Sequence, residues 1–261
     1  MHMRGGKTMS EGKFAMSLNY IDFQKEKHPA CEKDGKRSAV VFGSDKKSNI
    51  GSAIAKKLRS DNFYVVEHNR DSCDLSKDNI KFKGNEDSLI LSNGHMHLDW
   101  IEDFPEEEVF KIINDTLISS IRATNQFVRQ TLEMPHKKYI IFIGSMAYKS
   151  VLNGSSVYCA SKAGISQFAR CIAWELAPKG YNVISINPSN TENTPMTEKT
   201  IRGIMRYRSL NRQSAEGYWG SILPKKEWLQ SDEIAEVASF FLSGKADYMS
   251  GSQVDLAGGQ R

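Results

Sequence analysis

Residues 38–58 read SAVVFGSDKKSNIGSAIAKKL, and this stretch decides the fold. It begins with a short apolar run that Gly43 closes, which is typical of a strand buried on both faces. Between Ile50 and Leu58 the apolar residues recur at the three- and four-residue spacing of an amphipathic helix. The stretch therefore predicts a buried strand, a turn that contains glycine, and a helix.

The same alternation of strand and helix continues along the chain. Five more strand-like runs follow: Tyr64–Asn69, Ser88–Ser92, Tyr139–Gly144, Tyr181–Ile186 and Ser252–Leu256. Helix-like segments separate most of them: Glu106–Glu133, Ser156–Ala177 and Asp232–Ser243. Such alternation predicts right-handed βαβ units and a parallel sheet covered on both faces. We therefore expect residues 38–261 to form a single α/β domain with a doubly wound parallel sheet, and we predict no helix between Arg70 and Asp87.

Composition excludes several classes of protein. The chain has 261 residues, 39% of them hydrophobic, and its longest apolar run, near Tyr139–Ile143, is far shorter than the roughly 20 residues that span a bilayer. Charges occur throughout the first residues, which is unlike a secretory signal. The four cysteines, Cys31, Cys73, Cys159 and Cys171, show no paired spacing, which favours reduced thiols. We expect a cytoplasmic protein with no membrane partner and no metal site.

The net charge of +4 is distributed unevenly along the chain. Residues 1–37 lack clear periodicity and carry +3, and we interpret them as a partly flexible N-terminal extension. Residues 195–226 carry +5, whereas the remaining residues together carry −4. A nucleic-acid-binding protein concentrates more basic charge on its folded body. We therefore expect no nucleic-acid partner.

The turn between the first strand and the first helix is a candidate phosphate site. Backbone N–H groups at a helix N-terminus attract an anion, and glycine lets the backbone approach phosphates closely. Asn49 tolerates a left-handed conformation in place of a further glycine. The alternative is an ordinary turn between a strand and a helix. The candidate cofactor-binding residues of this turn are Gly43, Ser44, Lys46, Asn49, Ile50 and Gly51.

The residues after the second strand bear on the choice of cofactor. An acidic residue at this position accepts hydrogen bonds from the adenosine ribose of NAD, but this chain has Asn69 and Arg70 there. A guanidinium group suits the 2′-phosphate of NADP, and Lys46 and Lys47 add positive charge in the first turn. We therefore expect NADP(H) rather than NAD(H). The alternative is that these three cations are only solvated.

Residues 145–162 contain the candidate catalytic groups. Ser145 follows a predicted buried strand, and Tyr158 and Lys162 lie four residues apart on one face of the next helix. A nearby ammonium group favours the phenolate and lowers the pKa of a tyrosine from its usual value of about 10. Ser145 can donate a hydrogen bond to a reacting oxygen. A tyrosine and a lysine at this spacing are usually a surface pair, but this is the one such pair among the nine tyrosines.

These residues resemble the motifs of the short-chain dehydrogenase/reductase superfamily, and the resemblance covers residues 38–261. The matching pieces, in family order, are the glycine-rich turn, Asp74-Leu75, Asn93-Gly94, Ser145, Tyr158-x-x-x-Lys162, Asn187-Pro188 and Asp255-Leu-Ala-Gly-Gly259. Ser145 lies 13 residues before Tyr158, as in the family. The resemblance implies a Rossmann-like fold and an enzyme similar to the 3-oxoacyl-carrier-protein reductases.

The resemblance also implies a role for each matching residue. Tyr158 would be the general acid in reduction and the base in oxidation, while Ser145 would hold the substrate oxygen. Lys162 would bind the nicotinamide ribose and lower the pKa of Tyr158. The implied cofactor contacts are Asp74 and Leu75 at the adenine, Asn93 and Gly94 at the ribose, and Pro188 with Thr191 or Thr194 near the carboxamide.

The chain departs from the family pattern at several points. Its first turn is two residues longer, as in the bacterial enoyl reductases, although those enzymes space the tyrosine and lysine differently. Thr116 replaces a helix asparagine, which leaves open whether the proton relay of that asparagine is kept, and we expect threonine not to give the same backbone distortion. Asp74 follows Arg70 after only four residues, which removes the helix that usually lies between the second and third strands. We therefore expect an exposed adenine and weak cofactor binding.

Residues 195–226 correspond to the helical lid that covers the substrate in the family. Their charge of +5 suggests an anionic substrate, such as an acyl-carrier thioester or a phosphorylated sugar. The alternative is that the arginines of this segment face solvent while its aromatic residues pack on the body of the domain.

The resemblance implies that the chain interconverts a carbonyl and a secondary alcohol of a small molecule by hydride transfer. A homodimer or homotetramer is expected by family analogy. Two alternatives stay open. One is a non-redox member of the family, an epimerase or dehydratase, and the other is a non-catalytic nucleotide-binding regulatory protein.

Overall fold

Six parallel strands form one sheet within residues 36–44, 49–78, 80–83 and 85–260, which the computed structural model describes. The strands are β1 Ser38–Phe42, β2 Tyr64–His68, β3 Ser88–Leu91, β4 Lys138–Ile143, β5 Tyr181–Pro188 and β6 Gln253–Leu256. They lie in the order β2-β1-β3-β4-β5-β6, and every neighbouring pair is parallel. The predicted doubly wound parallel sheet is confirmed.

Helices cover both faces of this sheet. They are α1 Ile50–Ser60, α2 Glu106–Ile112, α3 Ser119–Thr131, α4 Ser156–Leu176, α5 Pro195–Tyr207, α6 Arg212–Ser221 and α7 Ser231–Phe240. On one face, α1 and α7 bury Ile54 and Ile234 against the strands. On the other face, α3 and α4 bury Phe127 and Ile165. Because the central strands are covered on both sides, they consist of continuous apolar runs.

The lid predicted at residues 195–226 contains α5 and α6. Both helices pack beyond the carboxyl ends of the strands, where Ile201, Ile204 and Ala215 form a third apolar cluster with Tyr158. This cluster holds the lid against the helix that carries the candidate catalytic tyrosine.

The connection between β2 and β3 consists of turns and irregular chain, and its described residues contain no helix, as predicted. Two side chains of α3 hold it in place. Gln130 accepts the N–H of Phe82 at 2.9 Å and donates to the carbonyl of Ile80 at 3.3 Å, while Arg122 donates to the carbonyl of Leu75 at 3.0 Å. The side chains of Ile80 and Phe82 are buried in the core as a result.

The helix predicted over Glu106–Glu133 contains one widened turn. A π-helical segment, Ile113–Ile118, joins α2 to α3, and the N–H of Ser119 donates to the carbonyl of Asn114, five residues back. The expectation that Thr116 would abolish the backbone distortion of this helix is therefore wrong.

Other predictions can be compared with the described residues. The helix predicted over Asp232–Ser243 ends at Phe240 and continues as a second widened turn, Phe241–Lys245. In the described part of the chain, no helix is long and apolar enough to cross a membrane. Cys73, Cys159 and Cys171 are free thiols. The predicted N-terminal extension, residues 1–37, lies outside the described residues except for its last two, so it stays a prediction.

Candidate active site

Two adjoining cavities lie at the carboxyl ends of the strands, which is the edge of a doubly wound sheet where ligands bind. The Tyr158 cavity is lined by Tyr158, Lys162 and their neighbours, and the Arg70 cavity is lined by Arg70, Asp74 and theirs. The residues that line both are Ile50, Ser92, Asn93, Met96, Thr194 and Met196. The two cavities therefore form one continuous crevice.

The structure brings most of the predicted site residues together along this crevice. The Arg70 cavity is lined by Gly43, Ser44, Asn49, Ile50, Arg70, Asp74, Leu75, Asn93 and Gly94. The Tyr158 cavity is lined by Ser145, Tyr158, Lys162, Pro188, Thr191 and Thr194. Gly51 packs against the backbone of Gly43 in the turn. The predicted cofactor residue Lys46 lies outside the described residues, as does Lys47.

Two glycines let the first turn lie directly on the edge of the sheet. Gly43 has a φ of +76°, and a Cβ atom there would lie 2.5 Å from the carbonyl carbon of Ser92. A Cβ atom at Gly51 would lie 2.6 Å from the carbonyl oxygen of Gly43. Helix α1 begins here with Asn49 as its N-cap and has no acidic residue in its first turn. The positive end of the helix dipole at the crevice suits a phosphate group.

Arg70 lies in the crevice between two carboxylates. Its guanidinium group forms an ion pair with Asp115, and its Nε atom lies 4.0 Å from Oδ2 of Asp74. The hydrogen bond to Asp115 is the main reason that the pKa of Arg70 is raised above its ordinary value. Arg70 therefore has local acidic partners that the sequence pattern did not reveal.

Tyr158 and Ser145 meet inside the Tyr158 cavity. Tyr158 is 4% exposed, and the hydroxyl group of Ser145 lies close enough to its phenol group to affect its pKa. The Oγ atom of Ser145 also accepts the N–H of Ala147 at 3.1 Å, which leaves its own O–H free to donate. The phenol O–H donates to the sulfur of Met196 at 3.6 Å. Two hydroxyl groups therefore stand side by side on the wall of the cavity, where one ligand oxygen can contact both.

Lys162 is buried beside Tyr158. Its Nζ atom donates to the carbonyl of Ile143 at 2.8 Å and lies 5.8 Å from the centre of the Tyr158 ring. Burial lowers the pKa of Lys162 to about 8. A Cβ atom at Gly94 would lie 3.8 Å from Nζ, so the absence of a side chain there keeps the ammonium group accessible from the crevice.

The pKa of Tyr158 differs from the prediction. We expected Lys162 to lower this pKa, but burial raises it, and the neighbouring hydroxyl group of Ser145 acts in the opposite direction. The physical reason is that the phenol and the ammonium group are enclosed together. Loss of hydration disfavours the phenolate and the ammonium ion alike. In this state of the protein, Tyr158 is therefore held in its protonated form.

Asn93 links the crevice to the widened turn. Its side-chain amide donates to the carbonyl of Asp115 at 2.9 Å and to Oγ of Ser119 at 2.8 Å. The N–H of His95 donates to Oγ1 of Thr116 at 3.2 Å. Groups from the loop after β3 thus hydrogen-bond to the π-helical segment, and this explains why the distortion persists with threonine at position 116.

The remaining wall of the Tyr158 cavity is mainly apolar. Its other prominent residues are Met96, Met146, Leu152, Met196, Trp219 and Ile222, with the polar Gln260 at one side. Among the described residues that line this cavity, Lys162 carries the one formal charge. The cavity therefore suits a neutral group next to Tyr158.

The arginines of the lid point away from both cavities. Their partners are Glu198 for Arg202 and Arg212, Asp99 for Arg206, and the ring of Tyr218 for Arg208. None of these four arginines lines either cavity. The aromatic residues of the lid pack in the third apolar cluster. This is the arrangement that we gave as the alternative to an anion-binding lid.

Sequence reasoning missed several residues of the crevice. Asp115 directly precedes Thr116, but the family pattern gave no reason to pair it with Arg70. Met196 begins the lid one residue after a proline, and no motif marks it. Trp219 and Gln260 come from distant parts of the chain, and only the tertiary packing brings them to the cavity.

Comparison with known proteins identifies the family. Residues 66–261 match a family model described as enoyl-(acyl carrier protein) reductase. The 3-oxoacyl-(acyl-carrier-protein) reductase MabA of Mycobacterium tuberculosis is 28% identical over 244 residues, which cover 85% of this chain and 92% of that protein. The NADPH-dependent reductase BacG of Bacillus subtilis is 25% identical over 259 residues, which cover 86% of this chain and 97% of BacG.

Solved structures agree at the level of the fold. An actinorhodin polyketide ketoreductase with NADPH matches with a TM-score of 0.76 and 18% sequence identity, over 86% of this chain and 97% of that chain. The matched family model spans most of the described domain, and the relatives align over nearly their whole length. The chain therefore belongs to the short-chain dehydrogenase/reductase family of oxidoreductases.

Proposed function

We propose that this protein is an NADP(H)-dependent oxidoreductase that interconverts a carbonyl group and a secondary alcohol. The observation that carries the proposal is the meeting of Ser145, Tyr158 and Lys162 in one buried cavity. These side chains supply a proton donor, a hydrogen-bond donor and a cation. Reduction of a carbonyl requires all three, because negative charge develops on its oxygen.

The crevice has the features that a nicotinamide dinucleotide needs. The close packing of Gly43 and the N-terminus of α1, whose first turn has no acidic residue, suit the pyrophosphate. Arg70 and Asp74 would hold the adenosine end, while Lys162 and Thr191 would hold the nicotinamide end. When bound, the nicotinamide donates a hydride to the carbonyl carbon or accepts one from the alcohol.

Tyr158 acts as the acid in the reductive direction. Burial raises the pKa of Tyr158, so the phenol is protonated at neutral pH. A carbonyl oxygen is a better acceptor than the thioether sulfur of Met196, which the phenol now contacts. As negative charge develops on that oxygen, the phenol proton moves to it. In oxidation the phenolate form of Tyr158 accepts the proton of the alcohol.

Ser145 and Lys162 support this proton transfer in different ways. The Ala147 N–H orients the hydroxyl of Ser145, whose proton can be donated to the same substrate oxygen. Because the pKa of Lys162 is about 8, its amine is mostly charged at neutral pH. Its positive charge stabilises the phenolate that forms when Tyr158 gives up its proton.

Arg70 supports NADP(H) as the cofactor. It follows β2 at the position where an acidic residue selects NAD, and its guanidinium group matches a phosphate. The NADPH-dependent relative from Bacillus subtilis is in line with this choice. The preference depends on how freely Arg70 can leave its carboxylate partners.

The walls of the Tyr158 cavity support a substrate that is neutral next to its carbonyl group. The anionic substrates that the lid charge suggested would need a cation in the cavity, and the lid arginines are engaged elsewhere. The spacing of Tyr158 and Lys162 also favours carbonyl reduction over enoyl reduction. The matched family model is nevertheless described as an enoyl reductase. The experiment therefore includes a substrate for each of the two reactions.

The proposal is tested by following NADPH and NADH oxidation with neutral ketones, anionic ketones and an enoyl thioester. We expect turnover of neutral ketones with NADPH and little turnover of the enoyl compound. Conversion of substrate without net NADPH oxidation would instead indicate an epimerase or dehydratase. Cofactor binding without conversion of any compound would indicate a regulatory protein.

A further inference from the structure

The ion pair between Arg70 and Asp115 joins two parts of the fold that lie far apart in sequence. Arg70 belongs to the turn after β2, and Asp115 belongs to the π-helical segment between α2 and α3. The Nη2 atom of Arg70 contacts Oδ2 of Asp115, and Asp74 lies on the other side of the guanidinium group. Of the three cations expected at the adenosine end, Arg70 is the one that the structure describes, and carboxylates already neutralise it.

Asp115 is the fixed member of this pair. It is 8% exposed, and the Asn93 amide holds its backbone carbonyl at 2.9 Å. Among the described residues, its Oδ2 atom has no hydrogen-bond donor besides Arg70. The side chain of Arg70, by contrast, is 54% exposed. Arg70 can therefore turn toward another anion more freely than the buried Asp115 can turn away from the crevice.

The ion pair between Arg70 and Asp115 lies where a phosphate would compete with Asp115 for Arg70. Arg70, Asp74 and Asp115 line the Arg70 cavity, and the same three residues also line an open groove on the outer side, beside Phe110 and Ile118. The ion pair thus forms the partition between the crevice and the groove. A phosphate that binds Arg70 at this place meets both carboxylates.

We propose that Asp115 is a specificity-determining residue that competes with the 2′-phosphate of NADP(H) for Arg70, so that the protein prefers NADP(H) over NAD(H) only weakly. This inference rests on the proposed function, in which Arg70 is the group that recognises the 2′-phosphate. NAD(H) has no phosphate at this position, so its binding requires no exchange of partners at Arg70. Asp115 therefore affects the two cofactors differently.

The experiment measures the Kd of NADPH and of NADH for the full chain by titration, without substrate. Asp115→Asn removes the charge and keeps the shape, and Asp115→Ala serves as a second variant. We expect both to lower the Kd of NADPH about fivefold to tenfold relative to the Kd of NADH, since the phosphate then no longer has to replace this carboxylate at Arg70 and one ion pair is worth about this factor. The matched control is Asp71→Asn, which removes the same charge next to Arg70 at an exposed position that lines neither cavity.

The Arg70→Gln background shows whether Asp115 acts through Arg70. There the Asp115→Asn change should give a clearly smaller gain in NADPH affinity, because no guanidinium group is released. An equal gain in NADPH affinity in this background would overturn the inference. So would an Asp115→Asn protein, with Arg70 present, whose ratio of the two Kd values is unchanged or shifts in favour of NADH.

Failure of the proposed cofactor assignment has a different signature. If Arg70→Gln leaves NADPH binding by the otherwise unchanged protein intact, Arg70 does not recognise the 2′-phosphate and the assignment fails first. If Arg70→Gln weakens NADPH binding but Asp115→Asn has no selective effect, only the competition is wrong.

Discussion

The sulfur of Met196, the second residue of α5, accepts a hydrogen bond from the phenol oxygen of Tyr158 at 3.6 Å. The lid therefore contacts the phenol oxygen of the candidate catalytic tyrosine through the side chain of Met196. Thioether sulfur is a weak acceptor, so a substrate oxygen can replace it at little cost. Met196 thus covers the phenol group without competing strongly for its proton.

Substitution of Met196 tests whether this residue acts through its apolar volume or through its sulfur atom. Met196→Leu keeps the volume and removes the acceptor, and we expect its kcat to stay within about threefold of the unsubstituted enzyme. Met196→Ala removes apolar contact area and should raise KM about tenfold, since burial of each methylene contributes about 0.8 kcal/mol. Steady-state kinetics with one neutral ketone measure both values. A large fall in kcat for Met196→Leu would show that the sulfur has a chemical role.

Gly43 should tolerate no side chain. Gly43→Ala would combine a left-handed backbone with a Cβ atom 2.5 Å from the Ser92 backbone, and we expect a loss of at least about 3 kcal/mol in unfolding free energy. Gly217→Ala is the matched control, because a Cβ atom there meets nothing within 4 Å and alanine stabilises the helix by up to about 1 kcal/mol. Denaturant unfolding of the two variants checks the contrast. Equal stabilities would mean that the first turn is not packed as described.

The buried Lys138 lowers the unfolding free energy by an amount that depends on pH. It is 1% exposed at the start of β4, and burial lowers its pKa to about 8. In the unfolded chain the group titrates near its ordinary value of about 10.4, so between these two pH values the unfolded state binds more protons. This loss of unfolding free energy is largest below pH 8 and disappears as the pH rises toward about 10.4. We therefore expect Lys138→Met to raise the unfolding free energy by about 1 to 2 kcal/mol at pH 7.

The pH dependence separates this effect from simple repacking. The stability difference between Lys138→Met and the unsubstituted protein should shrink as pH rises from 8 to 10.4. Lys137→Met is the control, because Lys137 is half-exposed and pairs with Asp247 on the surface. The prediction is wrong if Lys138→Met is less stable than the unsubstituted protein at pH 7 and the difference in unfolding free energy does not change with pH.

The lid arginines should contribute little to catalysis. Arg202→Ala and Arg212→Ala each break an exposed ion pair with Glu198, and such pairs contribute about 0 to 1 kcal/mol. We expect kcat/KM for both neutral and anionic ketones to stay within about twofold. A selective loss of activity toward the anionic ketones would restore the anion-binding lid as the better interpretation.

Much of the fold could be predicted because its elements are encoded locally. Runs such as Ser38–Phe42 are buried on both faces, so their apolar composition marks them as strands without tertiary information. Tyr158 and Lys162 were recognisable because a fixed spacing within one helix puts both on one face. The short connection between β2 and β3 was also visible, as a lack of helical periodicity.

The remaining features depend on contacts between distant segments. The pairing of Arg70 with Asp115 joins a turn to a distant helical segment, and each residue carries a charge that also occurs on solvated surfaces. The widened turn around Thr116 is held in part by Asn93 and His95, which come from another segment. The direction of the pKa shift of Tyr158 depends on burial, which spacing alone does not determine.

The central claim is that Tyr158 transfers the proton during carbonyl reduction, and Tyr158→Phe tests it most directly. The measurement is kcat for NADPH oxidation with the best neutral ketone of the panel, with NADPH titration of the same preparation as the folding control. We predict a fall in kcat of at least about a thousandfold, because phenylalanine keeps the ring and removes the proton. The Kd of NADPH should stay within about fivefold. A variant that retains kcat within tenfold of the unsubstituted enzyme would contradict the account.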